Sequence, residues 1–459
     1  MPTRQPTILP ELRQRIDAVI AALGLVSPSL IRRWEDYRAA TNRHVVRQAF
    51  ETIGIHAVFG FPSRRDREAK FSPVAYLACA SDDARANLLH RLVWSQGVVP
   101  ILLIATPAGL QIRKSLTPPM PRPITVAWSK FSTELPVELR SLTAVALSSS
   151  VVWRDFAADR SNRVDTALLK AIASLNEEVR MQHEALSDRP PLVNSLIGRF
   201  IYFFVLLDRG IIDANWVRHL RDDDGNQLCA QIANSIREDG SIDAADQAWP
   251  TSEVWSLFDQ IDEVLNGAIF PVSAEDRRLV PGDALHLVRR AIRHGDTLDS
   301  SGRQLGFLNV SFATLRTETI SAIYELFLFI EGPEAKEYEG AFYTPPFLVD
   351  YVLDEVDHMR SFTARSRVID PAAGSGIFLV GAYRRILERA IPRSRWTSVQ
   401  FQKARKLLER TIFGIERNPQ AVNVARFSLY LTLLDYVENV SIKETLSNGG
   451  VADGLAARA

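Results

Sequence analysis

Two acidic residues and two glycines stand where they could bind a small molecule. In VIDPAAGSGIFLV, Asp370 ends a short apolar run, and Gly374 and Gly376 follow in a turn. Glycines let a ligand approach the backbone closely, and the amides at the start of the next helix favour a carboxylate or phosphate. The stretch therefore predicts a nucleotide-like ligand at the carboxyl end of a strand, with a tight turn that binds nothing as the alternative.

Glu416 occupies the corresponding place in GIERNPQAVNVAR, after a second apolar run. A carboxylate there can accept hydrogen bonds from both hydroxyls of a ribose, whereas the simpler interpretation is a surface acid near a helix N-terminus. Asn418 and Pro419 are typical of an N-cap and a first helical residue. The combination of Glu416 with Asp370 and the glycines favours the ligand. Leu379 stands where the dinucleotide fingerprint requires Gly or Ala, which disfavours a nicotinamide cofactor.

Alternating helices and strands are predicted around these residues. The amphipathic helix PFLVDYVLDEV precedes the strand SRVID, and the helix IFLVGAYRRILERA, a helical connector, the strand IFGIE and the helix NPQAVNVARFSLYLTLLD follow. Strand, glycine turn, helix, strand and helix form the opening of a doubly wound α/β fold, which binds ligands at the carboxyl ends of its strands.

These stretches carry a family resemblance. DPAAGSGIFL resembles the S-adenosylmethionine motif of adenine-N6 DNA methyltransferases, in which Cys is commoner at the position of Ala373. GIERNPQAVNVAR is similar to the next motif of that family, and GAFYTPPFLVDYVL to the motif that precedes the glycine turn. LIGRFIYFFVLLDRGII, LFDQIDEVLNGAIF and SAIYELFLF resemble the helical region of type IIG restriction-modification enzymes and related phage-defence methyltransferases. The resemblance covers roughly residues 190–435.

The resemblance implies S-adenosylmethionine as the cofactor, double-stranded DNA as the partner and a flipped adenine as the methyl acceptor. It places the methionine part against residues 343–345, the ammonium group near Asp370, commonly through water, and the ribose on Glu416. No metal is implied. The implied cofactor-binding residues are Tyr343, Thr344, Pro345, Asp370, Ala372, Gly374, Ser375, Gly376 and Glu416.

The catalytic tetrapeptide of that family, Asn or Asp, Pro, Pro, then Tyr or Phe, does not occur in this sequence. Thr344-Pro345-Pro346-Phe347 shares only its outline, because a threonine side chain has no carbonyl acceptor and the stretch precedes the glycine turn. We therefore assign no catalytic residue. We expect the amino-terminal portion of a longer enzyme, completed by a second polypeptide or a carboxyl-terminal region that carries the catalytic and target-recognition parts. The alternatives are a catalytic loop of unfamiliar form and a noncatalytic scaffold subunit of a defence complex.

A nuclease motif is suggested only weakly at the front of the chain. Glu68-Ala69-Lys70 matches the Glu-x-Lys pattern that helps to bind a divalent metal in nucleases, and Asp66 is the nearby acid. The match lies in the charged stretch SRRDREAKF, so a solvated loop is the favoured interpretation and no metal site is predicted. A nuclease-like α/β shape without the metal site is compatible with this interpretation.

Two further features have ordinary interpretations. RRWEDYR and SRRDR combine Arg with an aromatic residue and could contact phosphates or bases, although an exposed face of mixed charge is favoured. His90 and Trp94 share one face of the predicted helix DDARANLLHRLVWSQG, where a core or partner-facing role is favoured over catalysis.

Composition sets few limits on function. The 459 residues carry 54 Lys and Arg against 54 Asp and Glu, so the net charge does not by itself indicate a nucleic-acid partner. Cys79 and Cys229 are far apart and lack metal-ligand spacing, so neither a disulfide framework nor a zinc site is indicated, and a reducing cytoplasm is favoured. We find no signal peptide and no run of about 18 apolar residues.

The overall prediction is an α/β protein of three parts. Residues 1–155 are predicted to form an amino-terminal α/β domain, residues 156–335 a helical connector domain, and residues 336–459 the first part of an S-adenosylmethionine-binding methyltransferase domain.

Overall fold

The computed structural model of this chain has a mixed α/β architecture. It describes residues 10–37, 43–63, 70–119, 123–131, 134–149, 153–156, 162–237, 241–242, 247–264, 270–294, 297–298, 304–305, 310–321, 344, 346–391 and 398–436. Two compact units are present: unit 1 comprises residues 1–167 and 309–316, and unit 2 comprises residues 168–308 and 317–459. The division into three domains stays a prediction.

Unit 1 is built on a six-stranded sheet whose strands lie in chain order. The strands are β1 (Leu30–Ile31), β2 (Ala57–Ser63), β3 (Lys70–Cys79), β4 (Ile101–Thr106), β5 (Gly109–Lys114) and β6 (Ile124–Ala127). Only the β3–β4 pair is parallel. A helix, Asp83–Gln96, connects those two strands, because parallel neighbours require a crossover.

Helices cover the two faces of this sheet. The helices of unit 1 are α1 (Pro10–Ala22), α2 (Arg43–Gln48), α3 (Asp83–Gln96), α4 (Val137–Arg140), α5 (Ala144–Leu147), α6 (Trp153–Phe156) and the first residues of α7 (Val164–Gln182). Leu77 and Leu103 pack in one apolar core with α1, while Tyr76 and Leu102 pack in another with α3. This alternation along the strands is the pattern expected when both faces of a sheet are buried.

The predicted boundaries of α3 are confirmed. Asp82 caps the helix by accepting a hydrogen bond from the Arg85 amide at 2.7 Å, and Gly97 ends it in a left-handed conformation with φ of 65°.

Unit 2 combines a helical part with a small parallel sheet. Its helices are the rest of α7, α8 (Pro190–Asp208), α9 (Ala214–Arg218), α10 (Ala230–Ser235), α11 (Thr251–Val264), α12 (Ala274–Leu279), α13 (Gly282–Arg293), α14 (Pro346–Met359), α15 (Ile377–Ala390), α16 (Ser398–Thr411) and α17 (Pro419–Leu434). A short hairpin pairs β7 (Thr297–Leu298) with β8 (Gln304–Leu305), and β9 (Val368–Asp370) pairs in parallel with β10 (Ile412–Gly414). As predicted, Pro346 begins α14.

Helix α8 is long and apolar enough to cross a membrane by length and composition alone. However, 83% of its most apolar window is buried inside unit 2. Its aromatic residues pack against neighbouring helices: the Tyr202 ring lies 4.1 Å from the Phe427 ring of α17, and Phe200 contacts Phe258 of α11. This is the packing of a core helix.

A buried ion cluster joins the helical part of unit 2 to the helices beside the parallel sheet. Asp435, just after α17, lies 2.8 Å from Arg209 at the end of α8 and 3.2 Å from Arg384 of α15. All three side chains are at least 85% buried, so removing one partner would leave an uncompensated buried charge. The two parts therefore share one compact unit.

The β9–β10 sheet is covered by described helices on one face. Val368 and Ile412 pack against the core between α14 and α15. On the opposite face, Ile369 is 61% exposed and Phe413 is 42% exposed. Since successive side chains of a strand point to opposite faces, the exposed pair marks the second face of the sheet.

Candidate functional site

The two strand ends that carry the predicted acids meet at one edge of the parallel sheet. In the β9–β10 pair, Val368 lies beside Ile412 and Asp370 beside Gly414. The pairing continues past the strands, because the Ile415 amide donates to the Asp370 carbonyl at 2.9 Å and the Ala373 amide donates to the Ile415 carbonyl at 3.0 Å. Asp370 and the acid that follows β10 therefore lie at the same end of the sheet.

The glycine turn has a geometry that other residues would not easily adopt. Gly374 and Gly376 have φ of 52° and 81°, in the left-handed region. A Cβ atom on Gly376 would also lie only 2.8 Å from the Cβ atom of Ala425 in α17. Gly376 is thus required both by its backbone conformation and by the close approach of a neighbouring helix.

Hydrogen bonds between residues that are close together in the chain hold the rest of the turn. The Asp370 carboxylate accepts from the Ala372 amide at 3.0 Å, and the Ala373 carbonyl accepts from the Gly376 amide at 2.8 Å. Ser375 is 1% exposed, so its side chain is buried, whereas the Asp370 side chain is half-buried. The structure therefore brings the predicted residues Asp370, Ala372, Gly374, Ser375 and Gly376 together in one turn.

Glu416 joins the glycine turn to the loop after β10. One carboxylate oxygen accepts a hydrogen bond from the Gly374 amide at 2.8 Å, and the other accepts from the Asn418 amide at 2.8 Å. Sequence reasoning missed these contacts, since nothing in the pattern indicates that the acid binds amides 42 residues away and two residues away. An ionised carboxylate offers about four acceptor positions, so further donors can still reach this one.

Helices α15 and α17 both begin at this end of the sheet. Asn418 caps α17 by accepting from the Ala421 amide at 3.4 Å, and Pro419 is its first residue. Gly376 precedes the first residue of α15. Because the N-terminus of a helix carries a partial positive charge and free amides, two such ends favour a ligand with a carboxylate or other negative group.

Helix α14 is parallel to α15. Leu353 approaches Gly381, Asp354 pairs with Arg385 at 2.8 Å, and Asp357 pairs with Arg389 at 2.6 Å. Residue numbers rise together along both helices, so their N-terminal ends lie on the same side. Thr344, which is half-buried, stands two residues before α14. It therefore lies toward the same end of the two helices as the glycine turn, which directly precedes α15. Tyr343 and Pro345 lie outside the described residues.

The nuclease candidates are only partly described. Asp66 and Glu68 lie outside the described residues, and Lys70 is the first residue of β3. Within the described ranges, no group of three or more His, Cys, Asp or Glu side chains could hold a metal ion. In RRWEDYR, Arg32 pairs with Asp17, and Arg33 pairs with Asp36 at 3.0 Å, so this stretch has the mixed-charge character favoured above.

His90 and Trp94 belong to the core of unit 1. The His90 Nε2 atom lies 3.2 Å from the Lys114 carbonyl and 3.1 Å from the Thr117 carbonyl, and Nδ1 lies 3.4 Å from Arg113 Nη1. This arrangement requires a neutral ring that donates from Nε2 and accepts at Nδ1. Burial, together with the Arg113 guanidinium, lowers the pKa of His90 to about 4. Trp94 Nε1 donates to the Asn162 carbonyl at 3.0 Å.

Comparisons with known proteins find similarity to DNA adenine methyltransferases. The family model described as N-6 DNA Methylase matches residues 316–454, the segment that contains the glycine turn and Glu416. An adenine-specific methyltransferase, PglX of Streptomyces coelicolor, is 33% identical over 94 residues, which is 20% of this chain and 8% of PglX. These matches support an N6-adenine methyltransferase family for the carboxyl-terminal part of the chain.

One solved structure, the cryo-electron microscopy structure of a DrdV–DNA complex, aligns with 97% of this chain and 41% of that one. The identity is 13% and the TM-score is 0.31, a likeness too distant to carry a conclusion. The matched regions cover 8% of PglX and 41% of the chain in the DrdV–DNA complex, so this chain spans less than half the length of each of these two proteins.

Proposed function

We propose that residues 336–459 bind S-adenosylmethionine and form the cofactor-binding part of a site-specific adenine-N6 DNA methyltransferase of a restriction-modification or phage-defence system. The observation that carries the proposal is the Glu416 carboxylate, which lies between the Gly374 and Asn418 amides at the carboxyl ends of two parallel strands. Open α/β sheets bind their ligands at this position.

The residues at the turn fit the cofactor. Gly374 has no side chain that would keep a ligand from the backbone, and the remaining acceptor positions of Glu416 suit the two ribose hydroxyls. Asp370 suits the ammonium group, and the N-terminus of α15 suits the carboxylate of the methionine part. Residues 343–345 would contact the methionine part from the beginning of α14.

S-adenosylmethionine, when bound, supplies an electrophilic methyl group on its sulfonium. The contribution of this chain is then to bind the cofactor and to orient that methyl group toward an incoming amine. Asp370 and Glu416 at the sheet edge would hold the ammonium group and the ribose hydroxyls of the cofactor. Orientation is the main requirement, because the methyl donor is already activated.

The methyl acceptor would be an adenine flipped out of double-stranded DNA. The 459 residues do not contain the Asn-Pro-Pro-Tyr or Asn-Pro-Pro-Phe tetrapeptide that would accept hydrogen bonds from the adenine amino group. We therefore propose that a second polypeptide, or a carboxyl-terminal region, supplies the catalytic loop and the target-recognition part. The match to an adenine-specific methyltransferase supports adenine as the target.

The missing tetrapeptide also favours a second candidate, a noncatalytic subunit that binds cofactor and DNA as the scaffold of a defence complex. The two candidates are distinguished by incubating the chain with DNA, tritiated S-adenosylmethionine and the products of neighbouring genes. Incorporation of label into adenine that requires this chain supports the enzyme. Cofactor binding without any incorporation supports the scaffold.

Cofactor binding is tested by calorimetric titration of S-adenosylmethionine into the full chain and into Asp370→Ala. We expect one site in the wild type and a loss of affinity of about tenfold or more in the variant, the effect of removing one interaction with a charged group. A folded wild-type protein that gives no binding heat would overturn the proposed function.

A further inference from the structure

Exposed apolar side chains are concentrated around the parallel sheet of unit 2. Among the described residues, thirteen large apolar side chains are exposed; five of them lie on α14 and three lie on or just after β9 and β10. These eight residues are Leu348, Tyr351, Val352, Val356, Met359, Ile369, Phe413 and Ile415. Single exposed apolar residues are ordinary, whereas a cluster of them marks a binding surface.

Helix α14 has an apolar face that α15 covers only in part. Val349 and Leu353 are buried in the core between the two helices. A second row of apolar side chains is exposed and is called the α14 stripe: Leu348, Val352, Val356 and Met359. The stripe adjoins the buried face, since residues three or four positions apart are neighbours on a helix. Asp350 and Asp354 lie on the opposite side of the helix and pair with Arg385.

Helix α15 separates α14 from α16. Gly381 of α15 faces α14, whereas Tyr383, about 200° further around the helix, donates to the Ala404 carbonyl of α16 at 2.8 Å. Helix α16 leads directly into β10 and packs on it, and α15 packs on both β9 and β10. The order across the layer is therefore α16, α15 and α14, and α14 lies on the outer side of β9.

The α14 stripe faces the layer of the sheet. On α15, Arg385 faces α14, and the next residue, Ile386, packs in the core that covers Val368 of β9. The two helices are parallel and face each other, so the sense of rotation from the partner helix to the sheet is reversed on α14. There Leu353 faces α15, and the preceding residue, Val352, faces the sheet layer.

The place below the α14 stripe is one that no described strand occupies. Packed helices lie about 9 Å apart, and neighbouring strands lie about 5 Å apart. Because α15 covers both β9 and β10, α14 lies roughly 6–7 Å beyond β9, over the positions of the next one or two strands. Among the described strands, β9 pairs only with β10.

The outer edge of β9 can accept a further strand. The Asp370 carbonyl accepts from the Ile415 amide, so Asp370 directs its backbone groups toward β10. Neighbouring residues of a strand direct these groups to opposite edges, and the Ile369 N–H and C=O therefore point away from β10. Backbone groups along such an edge pair readily with another strand.

We propose that the α14 stripe and the outer edge of β9 bind an apolar β-strand, parallel to β9, from a polypeptide outside these 459 residues. One face of that strand packs under the α14 stripe, and the other extends the sheet face that carries Ile369 and Phe413. A strand buried on both faces of a parallel sheet is apolar throughout, which defines the chemistry of the partner segment.

The direction of this strand gives the surface a role in the reaction. The carboxyl end of a parallel strand lies at the edge that carries Asp370 and Glu416, so the loop that follows the strand enters the cofactor site. The docked strand is thus the element that delivers the catalytic loop of the partner. This role rests on the proposed function, whereas the binding of the strand does not.

Photo-crosslinking in the full chain tests both the surface and the direction of the strand. The photoreactive residue p-benzoylphenylalanine replaces Leu348 or Met359, at the two ends of the α14 stripe, and the chain is co-expressed with the genes that flank its own. After irradiation, mass spectrometry identifies the labelled peptides. The two positions lie about 16 Å apart along the helix, which corresponds to about five residues of a strand.

We expect both positions to label one apolar segment of one partner polypeptide, at sites about five residues apart. The Leu348 label should lie nearer the carboxyl end of that segment, because α14 begins at the same end as α15, beside the glycine turn. The segment should be followed by Asn or Asp, Pro, Pro and Tyr or Phe. The same photoreactive residue at Val145, an exposed position of α5 in unit 1, is the control and should not label this segment.

A charge on the α14 stripe should block the partner without disturbing the cofactor site. Val352→Asp should lower the yield of the Leu348 crosslink about tenfold or more, because the charge would be buried under the docked strand. The dissociation constant for S-adenosylmethionine should change less than about twofold. Val145→Asp is the matched control and should alter neither quantity. If circular dichroism shows that Val352→Asp does not fold, Met359→Lys decides by the same criteria, since Met359 is the last residue of α14, where a positive charge is favourable.

The other results are distinguishable. Labels within this chain, including residues 437–459, or between two copies of it would overturn the docking surface, as would the absence of any label. Labels in the reverse order, or a segment without the tetrapeptide, would overturn the delivery of the catalytic loop. If the expected labels form but the wild type binds no S-adenosylmethionine, the proposed function fails and the docking surface stands. If S-adenosylmethionine binds and no label forms, the docking surface alone fails.

Discussion

The Gly374 amide donates a hydrogen bond to the Glu416 carboxylate at 2.8 Å, across 42 residues of chain. This contact links the turn after one strand to the loop after the neighbouring strand. It fixes the position of the acid at this edge of the sheet, with its other oxygen on the Asn418 amide. A ligand that reaches this edge of the sheet therefore meets acceptors that are already oriented.

Replacing Glu416 should weaken both the fold and cofactor binding. Glu416→Ala leaves the Gly374 and Asn418 amides without their acceptor, and we expect a loss of about 1–3 kcal/mol in the free energy of unfolding. Urea denaturation measures this loss, and calorimetry measures the affinity. The control is Glu409→Ala, which removes an ion pair with Arg405. Because the Glu409 side chain is 46% exposed, this substitution should lower the free energy of unfolding by less than about 1 kcal/mol. Equal stability of the two variants would contradict a bridging role for Glu416.

Gly376→Ala should be strongly destabilising. The substitution forces a left-handed conformation on alanine and brings its Cβ atom to 2.8 Å from that of Ala425, so we expect a loss of about 2–4 kcal/mol. Gly225 is a matched control, because it has φ of 83° but nothing within 4 Å of a Cβ atom. Gly225→Ala should cost about 1–2 kcal/mol, the conformational part alone. Similar losses at both positions would show that α17 does not constrain the turn.

Mild acid should destabilise unit 1 through His90. Its pKa is about 4 in the folded protein and about 6.5 in an unfolded chain, so between these values the unfolded state binds more protons. The stabilising contribution is therefore complete above about pH 6.5 and is lost as the pH falls toward 4, with about 2 kcal/mol lost by pH 5.

Urea denaturation of the wild type and His90→Gln between pH 7 and pH 5 tests this prediction. The variant should lose less stability over this interval than the wild type, and the same substitution at the exposed His219 serves as the control. Parallel profiles for the wild type and His90→Gln would show that His90 does not cause the acid sensitivity.

The two cysteines should be unreactive in the folded protein. Burial raises the pKa of Cys79 and of Cys229 to about 12, which leaves little thiolate at pH 8. We expect a thiol reagent such as 5,5′-dithiobis(2-nitrobenzoate) to label both residues only after denaturation in guanidinium chloride. Rapid labelling of the native chain would contradict the burial of these side chains.

Local features of the site could be predicted from the sequence. The glycine turn, the strand before it, the N-cap at Asn418 and the start of α14 at Pro346 all depend on residues close together in the chain, and the structure has them at those positions. Helix α8 was also predictable, because its apolar residues cover a wide helical face. Such features follow from steric restrictions and capping preferences that act over a few residues.

The partners of the functional residues could not be predicted in this way. The role of Glu416 toward a ribose stays a prediction, and its hydrogen bonds from the Gly374 and Asn418 amides had no signal in the sequence. The sequence showed only that His90 and Trp94 share a helical face. The structure shows that both side chains are buried, with the Lys114 carbonyl beside His90 and the Asn162 carbonyl beside Trp94. The ion pairs between α14 and α15 join residues about 30 positions apart and had no local signal.

By itself, the sequence identified candidate residues for a nucleotide-like ligand, because glycine, carboxylate and helix-capping residues have fixed chemical capacities wherever they occur. The tertiary structure decided which of them meet. Two parallel strands bring Asp370 and Glu416 to one edge, and the parallel packing of α14 on α15 places Thr344 toward the same end. The physical reason is that strand pairing and helix packing are set by contacts between distant segments, whose strength depends on burial and geometry that a linear pattern does not contain.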